Sequence, residues 1–297
     1  MIGRARTLAC AALAAVLAAA SMAACGGNPI TPQPPGGGGG QQPPANNPPV
    51  ISAIKVQGTR PNEPPFFADL SETINVSVEI RDDETPTSQL QYTWSSTVGS
   101  FSGSGTAVTW QAPAQGTTPV DVTLRLEVVE RYGPPSAPTQ FEHRVQFSQG
   151  MSLHDSPKEV GDMARQFLLD FSDSNIRDID YIMRNFSKRR CPTPSEIDSE
   201  YQDVTDDRAR KRRTAYNIGS VPASINFGGS CPFRFKRGDA CVVVPVFWAD
   251  VDLKSNLPGS TRGNDIVAAA YSADDTRWWL CASDYQGIST IGPTFYR

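Results

Sequence analysis

The sequence predicts two folded units in series. The first, residues 50–148, is an all-β sandwich. The second, residues 151–297, is an α+β unit with helices packed on a curved antiparallel sheet. Apolar and polar residues alternate with a period of two through the first stretch, which marks strands with one buried face. From Ser156 the apolar residues recur at helical spacing, and beyond residue 217 the strand pattern returns. Helices followed by a run of strands is the order of an α+β arrangement.

The chain opens with Arg4 and Arg6, an apolar run from Leu8 to Ala20, and the small residues Ala23 and Ala24 before Cys25. That is the three-part order of a secretory signal peptide over residues 1–24. The apolar run falls short of the roughly 20 residues that span a hydrocarbon core. Met22-Ala23-Ala24-Cys25 resembles the processing tetrapeptide of bacterial lipoproteins. The resemblance implies cleavage before Cys25 and lipidation of Cys25. With Gly26 in place of a retention Asp, it also implies an outer-membrane address. Multiple acyl chains anchor a protein stably, where one is marginal. An ordinary signal cut near Ala24 is the alternative. Residues 26–49 hold five consecutive glycines, Gly36–Gly40, and three Pro-Pro pairs. They have almost nothing to bury, so they read as a tether.

The formal net charge of −4 gives no field that would favour nucleic acid. Cys10 leaves with the signal. Cys191, Cys231, Cys241 and Cys281 remain, at spacings of 40, 10 and 40 residues. Disulfides persist in an exported protein, and four cysteines allow three connectivities. The favoured one staples a hairpin through Cys231 and Cys241 and ties the helical part to the last strand through Cys191 and Cys281. Zinc would need closely spaced ligand pairs, which these gaps do not supply. No metal, cofactor or catalytic motif is expected.

In the first unit, Ile74, Val76, Val78 and Ile80 alternate with polar residues, as do Leu90, Tyr92 and Trp94, and then Val120 through Val128. Turn-rich pieces such as Asp82–Pro86, Gly99–Gly105 and Pro113–Pro119 separate them. The run Tyr92-Thr93-Trp94-Ser95, then Gly99-Ser100-Phe101, then Val108 to Pro113 resembles bacterial immunoglobulin-like and polycystic-kidney-disease-type repeats. That resemblance implies a sandwich with Trp94 as its core tryptophan, serving as a spacer, an adhesive element or a carbohydrate-binding accessory. Asp82-Asp83-Glu84 offers oxygen ligands for calcium, but reads first as a solvated loop. His143, on a face with Phe141, Val145 and Phe147, reads as a half-buried histidine near a sheet edge with no evident partner.

In the second unit, Ser156-Pro157-Lys158-Glu159 is a capping box, and Val160, Met163, Ala164, Phe167, Leu168 and Phe171 form the apolar stripe of a helix. Ile179, Ile182, Met183 and Phe186 mark a shorter one. Residues 195–213 predict a third, acidic early and basic in Arg208–Arg213, which suits the helix dipole. Strands follow at Asn217–Phe227, Phe233–Phe235, Cys241–Leu253, Asp265–Tyr271 and Arg277–Tyr285. The helix 156–172, the end Asn185-Phe186-Ser187 and the hairpin through Asp275-Thr276-Arg277-Trp278-Trp279-Leu280 resemble the nuclear transport factor 2-like (SnoaL-like) cone fold. The resemblance implies an apolar pocket holding an Asp or Tyr, in a family of isomerases, dehydratases and non-catalytic binding domains.

Asp250 and Asp252 share a face with Val246 and Trp248, so Asp250 is the candidate buried base. The expectation is that the strand leaves the core there and both carboxylates are solvated. His154 lies before the first helix. Lys188-Arg189-Arg190 and Arg208–Arg213 are candidates for anionic partners, with a solvated, charge-balanced helix end as the expected reading. The whole predicts a membrane-anchored envelope lipoprotein acting as a non-enzymatic binding or interaction module. Its sandwich is the spacer, and its partner is an envelope protein, a glycan or a small apolar ligand. An isomerase- or hydrolase-type enzyme using the cone cavity is one alternative, and a structural or adhesion component is the other.

Overall fold

The computed structural model describes residues 45–133, 141–219, 226–227, 231–233 and 239–291. The expected signal segment, Cys25 and the expected tether to residue 44 lie outside them, as do parts of the expected strands 217–227 and 233–235. The chain is mostly β-sheet. Among the described residues it has twelve strands, three α-helices and one short 3-10 turn. Eight strands come first: β1 (Val50–Gln57), β2 (Phe67–Asp69), β3 (Thr73–Arg81), β4 (Gln91–Ser96), β5 (Ser100–Ser102), β6 (Ala107–Gln111), β7 (Val120–Tyr132) and β8 (Phe141–His154). They form two sheets, β1-β3-β6-β5 and β2-β8-β7-β4. One core joins the inward alternate residues of both, among them Ile54, Ile74 and Val76 from one sheet and Val122, Leu124 and Leu126 from the other.

The core tryptophan is Trp110, not Trp94. Trp110 is fully buried, and its Nε1 donates to Ser96 Oγ and Val98 O, both at 3.1 Å. It sits on β6, inside its sheet, whereas Trp94 sits on the edge strand β4 and stays half-buried. Gly99, at φ +75°, lies against the Trp110 ring, and a Cβ there would come within 2.5 Å of it. His143 does have a partner. It faces Glu130 across β7 and β8, with Nδ1 at 3.1 Å from Glu130 Oε2. Asn46, from the end of the expected tether, donates to the same carboxylate at 2.7 Å. Asp82 closes its own turn, accepting from the backbone N–H of Glu84 and Thr85.

The remaining elements are α1 (Ser156–Ser172), α2 (Ile179–Ile182), α3 (Pro194–Arg210), β9 (Lys211–Ile218), β10 (Asp239–Asp252), β11 (Pro258–Ser272) and β12 (Arg277–Ile291). The four strands make an antiparallel sheet in the order β12-β11-β10-β9. The cap of α1 is Asp155 rather than Ser156. Its side chain accepts from Lys158 N, and Glu159 Oε1 accepts from Asp155 N at 3.1 Å. The expected helix 195–213 stops at Arg210, and a strand begins at Lys211, before the predicted start at Asn217. Val160, Ala164, Phe167 and Leu168 of α1 and Ile197 and Val204 of α3 pack on Val242, Val244, Val246, Val267 and Leu280 of the sheet.

Cys191 faces Cys281 with Cα atoms 5.4 Å apart, and Cys231 faces Cys241 at 6.4 Å, the two pairings favoured from the spacing. Residues 43–297 form one compact unit. β8 runs unbroken through residues 149–150 and ends at the first helix. Its last residues pair in parallel with β2, whose Phe67 is buried in the second core while Ala68 is buried in the first.

Candidate functional site

A cavity of about 310 Å³ lies between α1, α3 and one face of the second sheet. It is at the low end of the roughly 300–1,000 Å³ range of ligand sites. Alternation along the strands builds its wall. Thr261 and Asp265 come from β11, Ser283 and Tyr285 from β12, Trp248 from β10, and Lys211 and Arg213 from β9. Asp265 pairs with Tyr285 across the ladder, and Trp248 with Thr261. Phe167 and Phe171 of α1 and Glu200, Asp203 and Val204 of α3 close the other side. Gly287 makes room for Tyr285, whose hydroxyl would lie 2.1 Å from a Cβ at that position.

Two carboxyl groups at one end are buried without a cationic partner among the described ion pairs. Asp265 is 4% exposed; burial pushes its carboxyl up to about 7, and nearby Asp284 adds to the shift. Burial also pushes Glu200 up to about 7, against the hydrogen bonds from Ser283, whose N–H donates to Oε1 at 2.5 Å and whose hydroxyl donates to Oε2 at 3.0 Å. Desolvation disfavours the charged form, and like charges reinforce it.

At the other end Arg213 stacks between Phe171 and Trp248, its guanidinium carbon 4.6 and 5.0 Å from the two rings. Its Nη2 donates to Asp207 Oδ1 at 2.9 Å.

Four side chains on this cavity carry buried polar atoms with no hydrogen-bond partner: Asp265 Oδ1, Tyr285 Oη, Trp248 Nε1, and Arg213 Nε and Nη1. Native interiors leave few such atoms, because each costs about 1–3 kcal/mol. All four side chains line the same cavity, which makes it the place where a bound polar group would relieve that cost. A larger hollow of about 470 Å³ has a floor of Ala268, Ala269, Ala270 and Ala282 beside Cys281. None of the side chains with unpartnered atoms lines it. The smaller cavity is therefore the candidate site.

Asp250 is buried, not solvated. It shares the inner face with Trp248, as its position predicts, but lies within ion-pair distance of Lys211 at 3.5 Å and Arg213 at 3.9 Å. The β9 register slips between Ala249 and Asp250, which brings Arg213 opposite Asp250. A bulge re-aims a side chain in this way. The expected solvated, charge-balanced helix end holds for Arg210, which is exposed and pairs with Asp206, but Arg208 and Arg213, though balanced by Asp207, have buried side chains. Arg208 is buried, its guanidinium donating to the carbonyls of Asp170, Asp173 and Ile176. Of the other basic stretch, Lys188 pairs with Asp198, and Arg190 with Asp274 and Asp275.

His154 is fully buried. Its Nε2 lies 2.7 Å from Ser152 Oγ and 3.2 Å from Tyr271 Oη, and its Nδ1 lies 2.8 Å from Glu159 Oε2. Serine, histidine and carboxylate stand in hydrolase order. Ser152 and His154 are both buried, however, neither lines either cavity, and the ring stacks on Phe67 at 4.8 Å. The cluster locks β8 to α1 and β11. Among the described residues, no group of histidines, cysteines and acids is placed to hold a metal. No protein-family model matches the chain, and neither a curated protein nor a solved structure shows significant similarity to it.

Proposed function

We propose that the protein is an envelope lipoprotein, anchored through Cys25, whose C-terminal unit binds a small polar ligand in the cavity between α1, α3 and the sheet. In this reading residues 50–148 are an immunoglobulin-like spacer and residues 151–297 a cone of the nuclear transport factor 2-like kind. Two facing four-stranded sheets around Trp110, and helices laid on a four-stranded antiparallel sheet, support those assignments. One observation carries the binding role: unpartnered polar atoms on four side chains around a single void. An apolar ligand would leave them unpaired, so the guest is polar.

A small-molecule screen by thermal unfolding tests this. A binder should raise the midpoint in proportion to the logarithm of its concentration, and Trp248→Phe should weaken it. A broad screen without a hit would contradict the reading. For the address, Cys25→Ser should move the protein from the membrane to the soluble fraction.

A second reading is an enzyme of isomerase or hydrolase type. Asp265 favours it, because a carboxyl held near 7 is matched to proton transfer at neutral pH. Asp265→Asn would then abolish turnover while a ligand still bound.

A further inference from the structure

We propose that the guest is a short protonated amine with an oxygen acceptor at its far end, its ammonium on Asp265 and its acceptor on Trp248 Nε1 and Arg213 Nε. The inference rests on the binding role above and adds the ligand's chemistry.

The free groups are sorted by kind. Asp265 Oδ1 is an acceptor and lacks a donor, while Trp248 Nε1 and Arg213 Nε and Nη1 are donors and lack an acceptor; Tyr285 Oη, which can do either, is unpaired on the strand opposite Asp265. The charges are sorted the same way. Glu200, Asp203, Asp265 and Asp284 gather at the Asp265 end and appear in none of the described ion pairs. Lys211 and Arg213, at the other end, already have Asp250 and Asp207 beside them. The uncompensated charge of the cavity is therefore negative, and it lies where the free acceptor lies. A divalent ion would need converging ligands, which the described residues do not provide. An ammonium group needs one or two carboxylates and tolerates aromatic walls, and Trp248 and Tyr285 supply them with ring centres 5.7 Å apart.

Binding should depend on pH. The groups facing Asp265 are Glu200 and Asp203 from α3, Asp284 and Tyr285 from β12, with Lys211 and Arg213 of β9 and Asp250 of β10 farther along. α1 contributes only Phe167 and Phe171 to this cavity. An ammonium ion favours ionised Asp265 and Glu200, so affinity should rise as the pH passes through about 7.

The test is calorimetric titration of the full-length protein in detergent with γ-aminobutyrate, aminobutanol, butylamine, butanol and butyrate. The first two should bind most tightly, butylamine more weakly, and butanol and butyrate not measurably. Asp265→Asn, which keeps the shape of the side chain, should weaken the amines about 10–100-fold, the worth of a hydrogen bond to a charged group. Near-ultraviolet circular dichroism checks that the variant is folded. Butyrate or butanol binding as well as butylamine, with Trp248 fluorescence responding, would overturn the amine and leave the cavity as a binding site. Amine affinity unchanged by Asp265→Asn would also overturn it. Silence of all five probes together with an empty broad screen would overturn both readings.

Discussion

At Asp265 the cost of burying a carboxylate sets a pH response of the whole protein. Its folded pKa, about 7, and that of Glu200, about 7, lie above the unfolded values near 4. A group raised in this way binds its proton more tightly when folded. Its contribution to stability is therefore fully present below about pH 4 and is lost as the pH rises to about 7. Asp265→Asn removes one of the two groups. Urea unfolding at about pH 8 should show the variant more stable by about 1–3 kcal/mol, with the difference shrinking as the pH falls and vanishing only below about pH 4. A variant less stable at both values would contradict the burial argument. Sequence spacing pointed to Asp250, which shares the face of Trp248, and not to Asp265. Alternation gives the face a side chain takes, but it gives neither the depth of the wall nor the partner across it. Asp250 finds Arg213 only because β9 lies beside it, and residues 211–213 read as the end of a helix. The cysteines were legible, since a spacing of 10 residues closes a hairpin and leaves the other two to each other.

Among the elements, α1, β3 and β10 were read within a residue or two, whereas β11 and β12 run well beyond the expected 265–271 and 277–285, and the switch from helix to strand after α3 was missed. α1 and α3 carry apolar stripes that survive in the fold. The change from helix to strand at Lys211 has no turn residue to announce it, because a basic run serves a helix C-terminus and a paired strand equally well. The start of α1 was displaced by one residue. Asp155 and Ser156 are both competent caps, and Pro157 suits either of the first two helical positions. Asp155 takes the role because Glu159 reaches back to its N–H while Asp69 accepts from Ser156 N at 2.7 Å. Asp155→Ala should cost about 1 kcal/mol in chemical unfolding, and Ser156→Ala should leave the helix cap intact. Equal losses of cap stability in the two variants would return the cap to Ser156.

In the whole molecule the two cores meet at one aromatic cluster. Phe67 is fully buried, stacked on His154 and edge-on to Tyr271 and Trp278 at 4.9 and 6.1 Å. Beside it, Arg60 bridges Asp69, Glu63 and Glu72 and lies over the Phe227 ring at 4.3 Å. The layer order of each unit could be read from the sequence because each has its own period. The joint could not be, since β2 is only three residues long and offers no pattern. Phe67→Ala should destabilise the protein by about 3–5 kcal/mol. Circular dichroism and tryptophan fluorescence should then fall together in one transition. Two separate transitions in the native protein would show that the halves fold independently.

The most direct test of the ligand site is the indole N–H signal of Trp248 in nitrogen–proton correlation spectra, assigned through Trp248→Phe. The chain has five tryptophans. The Nε1 atoms of Trp94, Trp110, Trp278 and Trp279 already donate within the protein, and that of Trp248 does not. Titration with γ-aminobutyrate should move the Trp248 signal and leave the other four nearly still. A Trp248 signal that stays fixed through the whole ligand panel, or a shift confined to the other tryptophans, would contradict the assignment of the cavity as a binding site.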